Sequence, residues 1–343
     1  MLLARFGRTG SLLLGLGALL LGGCASLTPE AKRDDPLLGQ IVDSRSGMAI
    51  TEAALAERMA AADVVYLGES HDNAEHHAIQ QRLIEALVAR GLKPALGFEF
   101  FDIGQTGYLT QYVSGQASLM QLHGGAAKIT PEQRLRRQLG WQERSDRDWK
   151  FYFDLIELAR THRLPIFGAD LPSGLKLRLS RVGVDGLNPV ESHQLVRIQN
   201  QSEAYRELMY AKFRDGHCGW GEEPLLSRLY QTWNARNNRM AESIVQMVAS
   251  GAGAPVVMIQ GNGHGEHNRA VYGQVAYLNP GLGQLNLALQ PISIEPAPLA
   301  DYLAPVTVGG VDFGPRHELL WFTQRHDYKD PCAALNQPPK PAP

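Results

Sequence analysis

The sequence predicts an α/β fold: a largely parallel sheet flanked by helices, with a smaller helical subdomain inserted into it. Three observations lead there. Short apolar runs of strand length recur along the chain, without the in–out alternation of a half-exposed strand. Amphipathic helical segments separate the first of these runs. One long stretch, residues 189–250, breaks the alternation by reading as helix throughout.

Taken in order, Asp63–Gly68 (DVVYLG) is the first buried strand. Asn73–Arg90 follows as a helix, with Ile79, Leu83, Ile84, Leu87 and Val88 on one face, Asp72 or Asn73 as its cap, and Gly91 just past its end. Its adjacent His76 and His77 read as solvated or half-buried. Ala95–Phe100 (ALGFEF) is the second strand. Asp148–His162 is a helix, with Phe151, Leu155, Leu158 and Ala159 at helical spacing. Leu164–Gly168 is the third strand and Pro255–Gln260 the fourth. Gln284–Gln290 and Glu318–Gln324 are expected as further strands at the sheet edge. The α/β part thus spans residues 38–188 and 251–330. The insertion, 189–250, is interrupted near Gly216–Pro224.

The ends of the chain differ from this middle. Arg5 and Arg8 precede an apolar run, Ser11 to Leu21, which is too short to span a bilayer. Leu21-Gly22-Gly23-Cys24 resembles a lipobox. Residues 1–23 are therefore expected to be a lipoprotein signal peptide, with Cys24 lipidated (palmitate among its acyl chains) and residues 24–37 a tether. Several acyl chains give a stable membrane anchor where one is marginal. No Asp follows Cys24, so an outer-membrane place in the cell envelope is expected over the inner membrane. The tail, 331–343, holds four prolines in its last seven residues and is expected to be disordered.

Composition narrows the function classes. The 343 residues carry a formal net charge of −2, so no overall basic field favours nucleic acid. No Cys-x-x-Cys-His motif points to covalent haem, and no Cys-x-x-Cys pair to structural zinc. With Cys24 assigned to lipid, Cys218 and Cys332 are the disulfide candidates in a compartment that permits the bond.

In open parallel sheets ligands bind beyond the carboxyl ends of the strands. All four principal strands end in ionisable residues: Gly68-Glu69-Ser70-His71, Phe98-Glu99-Phe100, Ala169-Asp170 and Gly261-Asn262-Gly263-His264. If the strands are neighbours, Glu69, His71, Glu99, His264 and Asp170 line one cleft. Asp170 is its weakest member, since an Asp before a helix is often only an N-cap. Two carboxylates and two imidazoles suit either a divalent metal with an open position, held by Glu69, His71, Glu99 and His264, or metal-free acid–base work.

The two Gly-x-x-His motifs with Phe98-Glu99 between them resemble the paired motifs of the Tiki/erythromycin-esterase-like superfamily. Asp215-Gly216-His217-Cys218-Gly219, followed by the helix through Asn234–Met240, resembles more narrowly the ChaN family of haem-binding uptake lipoproteins. The resemblance runs from about residue 38 to 325. It implies a membrane-anchored lipoprotein of iron or haem acquisition, with haem as cofactor, a homodimer interface as its binding place, and a haem-uptake receptor or transporter as partner. It also carries an alternative, a metal-dependent peptidase or esterase, whose hydrolytic residues would map to Glu69, His71, Glu99 and His264. Haem needs an axial ligand, and Tyr or His supplies one. Tyr205 and Tyr210 of the insertion are the candidates, with His217 as a second ligand or a partner for a propionate, beside a structural reading in which a tyrosine at helical spacing packs in a core.

Overall fold

The computed structural model describes residues 32–116, 129–198 and 201–333. The expected signal peptide, Cys24, most of the expected tether and most of the tail thus lie outside the described residues. In chain order the elements are β1 (Ile41–Asp43), β2 (Met48–Ile50), α1 (Glu52–Ala61), β3 (Val64–Glu69), α2 (Ala74–Ala89), β4 (Ala95–Asp102), α3 (Thr106–Val113), α4 (Pro131–Gln138) and α5 (Asp146–His162). Then follow β5 (Ile166–Asp170), α6 (Ser173–Val182), α7 (Pro189–His193), α8 (Glu203–Gly216), α9 (Glu223–Ser250), β6 (Val256–Gly261), α10 (Ala270–Leu278), β7 (Gln284–Pro291), α11 (Leu299–Leu303), β8 (Thr307–Val308), β9 (Val311–Asp312) and β10 (Leu319–Thr323).

The main sheet runs β2-β1-β10-β7-β3-β6-β4-β5. From β10 to β5 every pair is parallel, and the β1–β2 hairpin is added antiparallel. The strands are apolar throughout because both faces are covered. Val65 and Leu67 of β3 and Val257 and Ile259 of β6 pack against α1, α2 and α5, while Val64, Tyr66, Val256 and Met258 meet α9 and α10. β7 and β10 are interior strands, not the expected edge, because the short β1–β2 hairpin extends the sheet past β10.

The insertion divides by what it touches. Ala204, Tyr205, Leu208 and Met209 of α8 form a small core with Phe313, joined by Tyr230 and Trp233 of α9. Further along α9, Met240, Ala241 and Ile244 pack on the sheet. One helix therefore belongs to both layers and carries side chains from the insertion to the strand ends. The expected tether also meets the body at its far end: Leu37 is buried, and Arg33 donates to the Ile294 carbonyl. Cys218 and Cys332 are joined in a disulfide, their Cα atoms 5.6 Å apart, which ties the α8–α9 turn to the chain's last described residues.

Candidate functional site

The four strands that the sequence marks are consecutive neighbours in the sheet, β3-β6-β4-β5. Their carboxyl ends bring Glu69, His71, Glu99, Asp170 and His264 to one place. Glu99 sits where β4 loses register with β5: Phe98 lies opposite Gly168 and Asp102 opposite Asp170, so β4 carries extra residues in between. Such a bulge bends the strand and re-aims a side chain.

Glu69, buried at the end of β3, accepts from the Tyr152 hydroxyl and from Gln80 Nε2 (2.7 Å), with His71 Nδ1 at 3.2 Å. His77 Nδ1 is 3.4 Å from its other oxygen, and the His77 ring lies stacked on Phe151 while its Nε2–H donates to the His71 carbonyl. Burial pushes Glu69 up, but His77, His71 and Tyr152 outweigh burial and hold its carboxyl below the ordinary value. Both α2 histidines are buried rather than solvated, because the helix turns this face toward the sheet. His76 Nδ1 accepts from the Ser70 amide (2.8 Å) and Nε2 reaches Thr323 Oγ1 (2.8 Å); burial pushes its pKa down to about 3. Asn73 is the cap of α2, accepting from the Glu75 amide.

Glu99 holds the other half. Its Oε1 accepts from Arg236 Nη2 (2.7 Å) and His264 Nε2 (3.0 Å), and its Oε2 from the Gly261 amide (2.7 Å). Burial alone would raise its pKa; the His264 and Arg236 side chains outweigh it and hold the carboxyl well below the usual range. Arg236 also donates through Nε to Asp170 Oδ2 (2.9 Å), which Lys176 Nζ contacts at 2.7 Å. Asp170 is thus an ion-pair partner in the cleft, not a helix cap. Its Oδ1 takes the Leu171 amide, and Pro172 occupies the N-cap of α6.

His264 lies flat on Trp233, ring centroids 4.1 Å apart, and its Nδ1 is 2.5 Å from the Asn237 side-chain amide. Burial holds its pKa below the ordinary value, against the pull of Glu99, so the ring is neutral. A neutral ring that donates Nε2–H to Glu99 must accept at Nδ1. Asn237 Nδ2, otherwise without a partner, is the donor that completes the set once the amide is oriented toward the ring.

Gly261 joins the halves. A Cβ there would stand 2.8 Å from His71 Cε1 and 3.5 Å from Glu99 Oε2, so only glycine lets both approach. The His71 side chain is half exposed, the member of this group that a ligand reaches first. Burial lowers its pKa, but the Glu69 hydrogen bond and the charges of Glu99 and Glu69 outweigh that and raise it.

This arrangement suits acid–base chemistry better than metal. The Glu69 and Glu99 oxygens are taken up by hydrogen bonds, and the Arg236 guanidinium occupies the place beside Glu99 that a cation would need. Among the described residues no group of three His, Cys, Asp or Glu side chains is placed to hold a metal ion. The divalent-metal expectation is not supported, because hydrogen-bond donors and, beside Glu99, the Arg236 guanidinium already fill the carboxylates.

The haem candidates are placed very differently. Tyr205 is a core residue, 2% exposed, near the Trp233 indole nitrogen (3.4 Å); burial pushes its phenol up to about 12. Iron could reach it only if α8 moved away. Tyr210 is half-buried, its hydroxyl 3.3 Å from Glu223 and its ring edge-on to Tyr230. His217, the C-cap of α8, is exposed. Its Nδ1–H donates to the Phe213 carbonyl (2.6 Å), which leaves the Nε2 lone pair uncommitted on an exposed residue. Trp220, three residues on, is 74% exposed.

Trp233, Arg236 and Asn237 were not legible as site residues. Their signal was present: positions 233, 236, 237 and 240 form one face of α9, and two of the four are polar where an amphipathic helix facing a sheet should be apolar.

Fold and cleft define a doubly covered α/β protein whose strand ends carry a closed carboxylate–imidazole network roofed by an inserted helix. The family model described as "Haem-binding uptake, Tiki superfamily, ChaN" matches residues 55–275, and the chain belongs to that family. No curated protein matches it. Among solved structures it is similar to ChaN of Campylobacter jejuni, a structure of cofacial haem binding, with 16% identity and a TM-score of 0.59 over 82% of this chain and 95% of that one. At that identity the likeness is one of fold. A mutant of the erythromycin esterase EreC in its open conformation is 15% identical, with a TM-score of 0.42 over 75% and 77% of the two chains.

Proposed function

We propose that this chain is a membrane-anchored haem-binding lipoprotein of haem or iron acquisition, and that haem docks at the α8–α9 turn. Membership of a haem-binding uptake family supports the ligand. The observation that carries the place is His217: its Nδ1–H is fixed on a backbone carbonyl and the exposed residue keeps its Nε2 lone pair uncommitted, the state in which an imidazole ligates iron. Trp220 offers an exposed apolar surface for the porphyrin face, and Tyr210 is the second candidate ligand on the same helix. A bound haem would supply the iron coordination; the protein's part is to present the imidazole and cover one face of the ring. An exposed turn covers only one face, so a second copy of the chain over the other is part of this reading, with an uptake receptor or transporter as the downstream partner.

Titrating the purified protein with haemin should give a shifted Soret band that saturates at a fixed stoichiometry. His217→Ala should weaken binding at least tenfold, and Tyr210→Phe should do so only if the phenol ligates. No saturable shift would overturn the haem reading, and an unchanged titration in His217→Ala would overturn the place. The anchor at Cys24, and with it the envelope and outer-membrane location, is tested by labelled palmitate. Incorporation should vanish in Cys24→Ala.

A second reading is favoured by the solvent-facing His71 over two buried carboxylates: a hydrolase that works by acid–base chemistry at the strand ends. Ester or peptide hydrolysis that is abolished in His71→Ala, with folding intact, would establish it. No difference from wild type would remove it.

A further inference from the structure

Away from the strand-end cleft, a cavity of about 290 Å³ lies between the β1–β2 hairpin, the turn that follows His264, and the segment leading into β10. Three of its lining side chains are nine-tenths or more buried and hold polar atoms with no hydrogen-bond partner: Ser44 Oγ, His317 Nδ1 and both ring nitrogens of His267. The His267 ring faces the carbonyls of Phe313 and Pro315 at the margin of hydrogen bonding, which leaves Ser44 Oγ and His317 Nδ1 as the clearest orphans. Buried polar atoms are almost always satisfied, so several orphans around one cavity mark a place where something polar belongs. The backbone agrees. His267 and Asn268 are consecutive non-glycine residues in the left-handed region, at φ +57° and +51°, a conformation that persists at ligand sites when the surroundings enforce it.

We propose that this cavity binds a small oxyanion, a carboxylate or phosphate, through His267, His317, Ser44 and Asn268. The sign of the ligand follows from the surrounding charge. Burial and the nearby Lys212 and Arg316 hold both imidazoles neutral, His267 at about 4 and His317 well below its ordinary value. Groups that suppress one another's positive charge in this way would all gain from an anion among them. Arg45 and Arg58 line the cavity as well. Two carboxylates also line the cavity and both are engaged, Asp43 with Arg58 at 2.7 Å and Glu318 with the Asn286 amide at 3.2 Å; Glu266, close by, pairs with Lys212 and lies 3.8 Å from Arg316. A metal cation would meet these positive groups with only two neutral imidazoles to hold it. The donors suit an oxyanion instead. Each neutral imidazole carries one N–H and Ser44 an O–H. Asn268 has its oxygen occupied by Asn286 Nδ2 (2.8 Å), which leaves its own NH2 free to donate.

The test is NMR of the protein with labelled histidines, titrated at constant pH and ionic strength with succinate, with inorganic phosphate and with chloride as control. Saturable shifts at both His267 and His317 are expected with succinate or phosphate and not with chloride; the tighter of the two identifies the ligand class. Affinity should fall at least tenfold in Arg316→Gln, whose exposed side chain leaves folding intact, and in Ser44→Ala. Haemin binding should be unchanged in both variants. The proposal is overturned by silence to both anions, by an equal response to chloride, by an undiminished response in Arg316→Gln, or by a response to zinc alone.

Discussion

The strand-end cleft and the α8–α9 turn each present an imidazole whose Nδ1 is fixed by an amide group, His264 by the Asn237 side chain and His217 by the Phe213 carbonyl. They differ in what the other nitrogen meets. His264 Nε2 is committed to Glu99 inside a network of buried charges, whereas His217 is exposed and its Nε2 is uncommitted. The cleft spends its polar groups on one another, and so its residues are bound tightly to the stability of the fold. The turn leaves its ligand atom open, and so its residue is nearly free of that stability. The contrast predicts that mutations in the two regions separate cleanly into folding effects and binding effects.

Arg236 gives the largest expected effect. It is the cation between Glu99 and Asp170, and Arg236→Met leaves two buried carboxylates with their main partner gone. Breaking a buried pair in this way costs about 3–5 kcal/mol, read as a lower urea midpoint. An unchanged midpoint would mean that the cleft is solvated and the contrast with the turn is false. Next is the disulfide, which closes a loop of sequence separation 114. Its loss in Cys218→Ser with Cys332→Ser should cost about 2–5 kcal/mol and also weaken haemin binding, because it steadies the turn that carries His217.

The pH dependence sharpens the same comparison. His264, His76, His267 and His317 have folded pKa values below the unfolded one. As pH falls below about 6.5 the unfolded chain takes up protons that the folded chain refuses, and stability declines. Glu99 and Glu69, also depressed, add stability above the ordinary carboxylate value that is lost as pH falls through their folded values. His71 runs the other way: its raised pKa contributes stability below 6.5 that fades as pH rises through the folded value. The net expectation is a urea midpoint that drops steadily from pH 7 to pH 4. A flat profile would show these imidazoles to be solvated. The smallest effect on stability is expected from His217→Ala, within about 0.5 kcal/mol of wild type, since an exposed side chain is removed. The same variant should show the large loss of haemin binding.

Much of this protein was legible in its sequence, and the reason is local. Strand runs such as Asp63–Gly68 and Pro255–Gln260 announce themselves because burial on both faces demands apolar residues without interruption. Glu69, His71, Glu99 and His264 were readable as candidates that meet in one place because a parallel sheet puts each at the end of such a run. The signal order before Cys24 needed no fold at all to be read as an expectation. What only the tertiary structure decided depends on which distant segments meet. The strand order places β6 between β3 and β4, and this makes Gly261 the contact between His71 and Glu99. The helix α9 crosses from insertion to sheet and delivers Trp233, Arg236 and Asn237, turning a group of acids and imidazoles into a closed charge network. Packing, too, separated three candidates that looked alike in sequence: Tyr205 went into the core, Tyr210 to its margin, and His217 to the surface. Periodicity reports which face of a segment is apolar, but what that face will touch is set by contacts far along the chain.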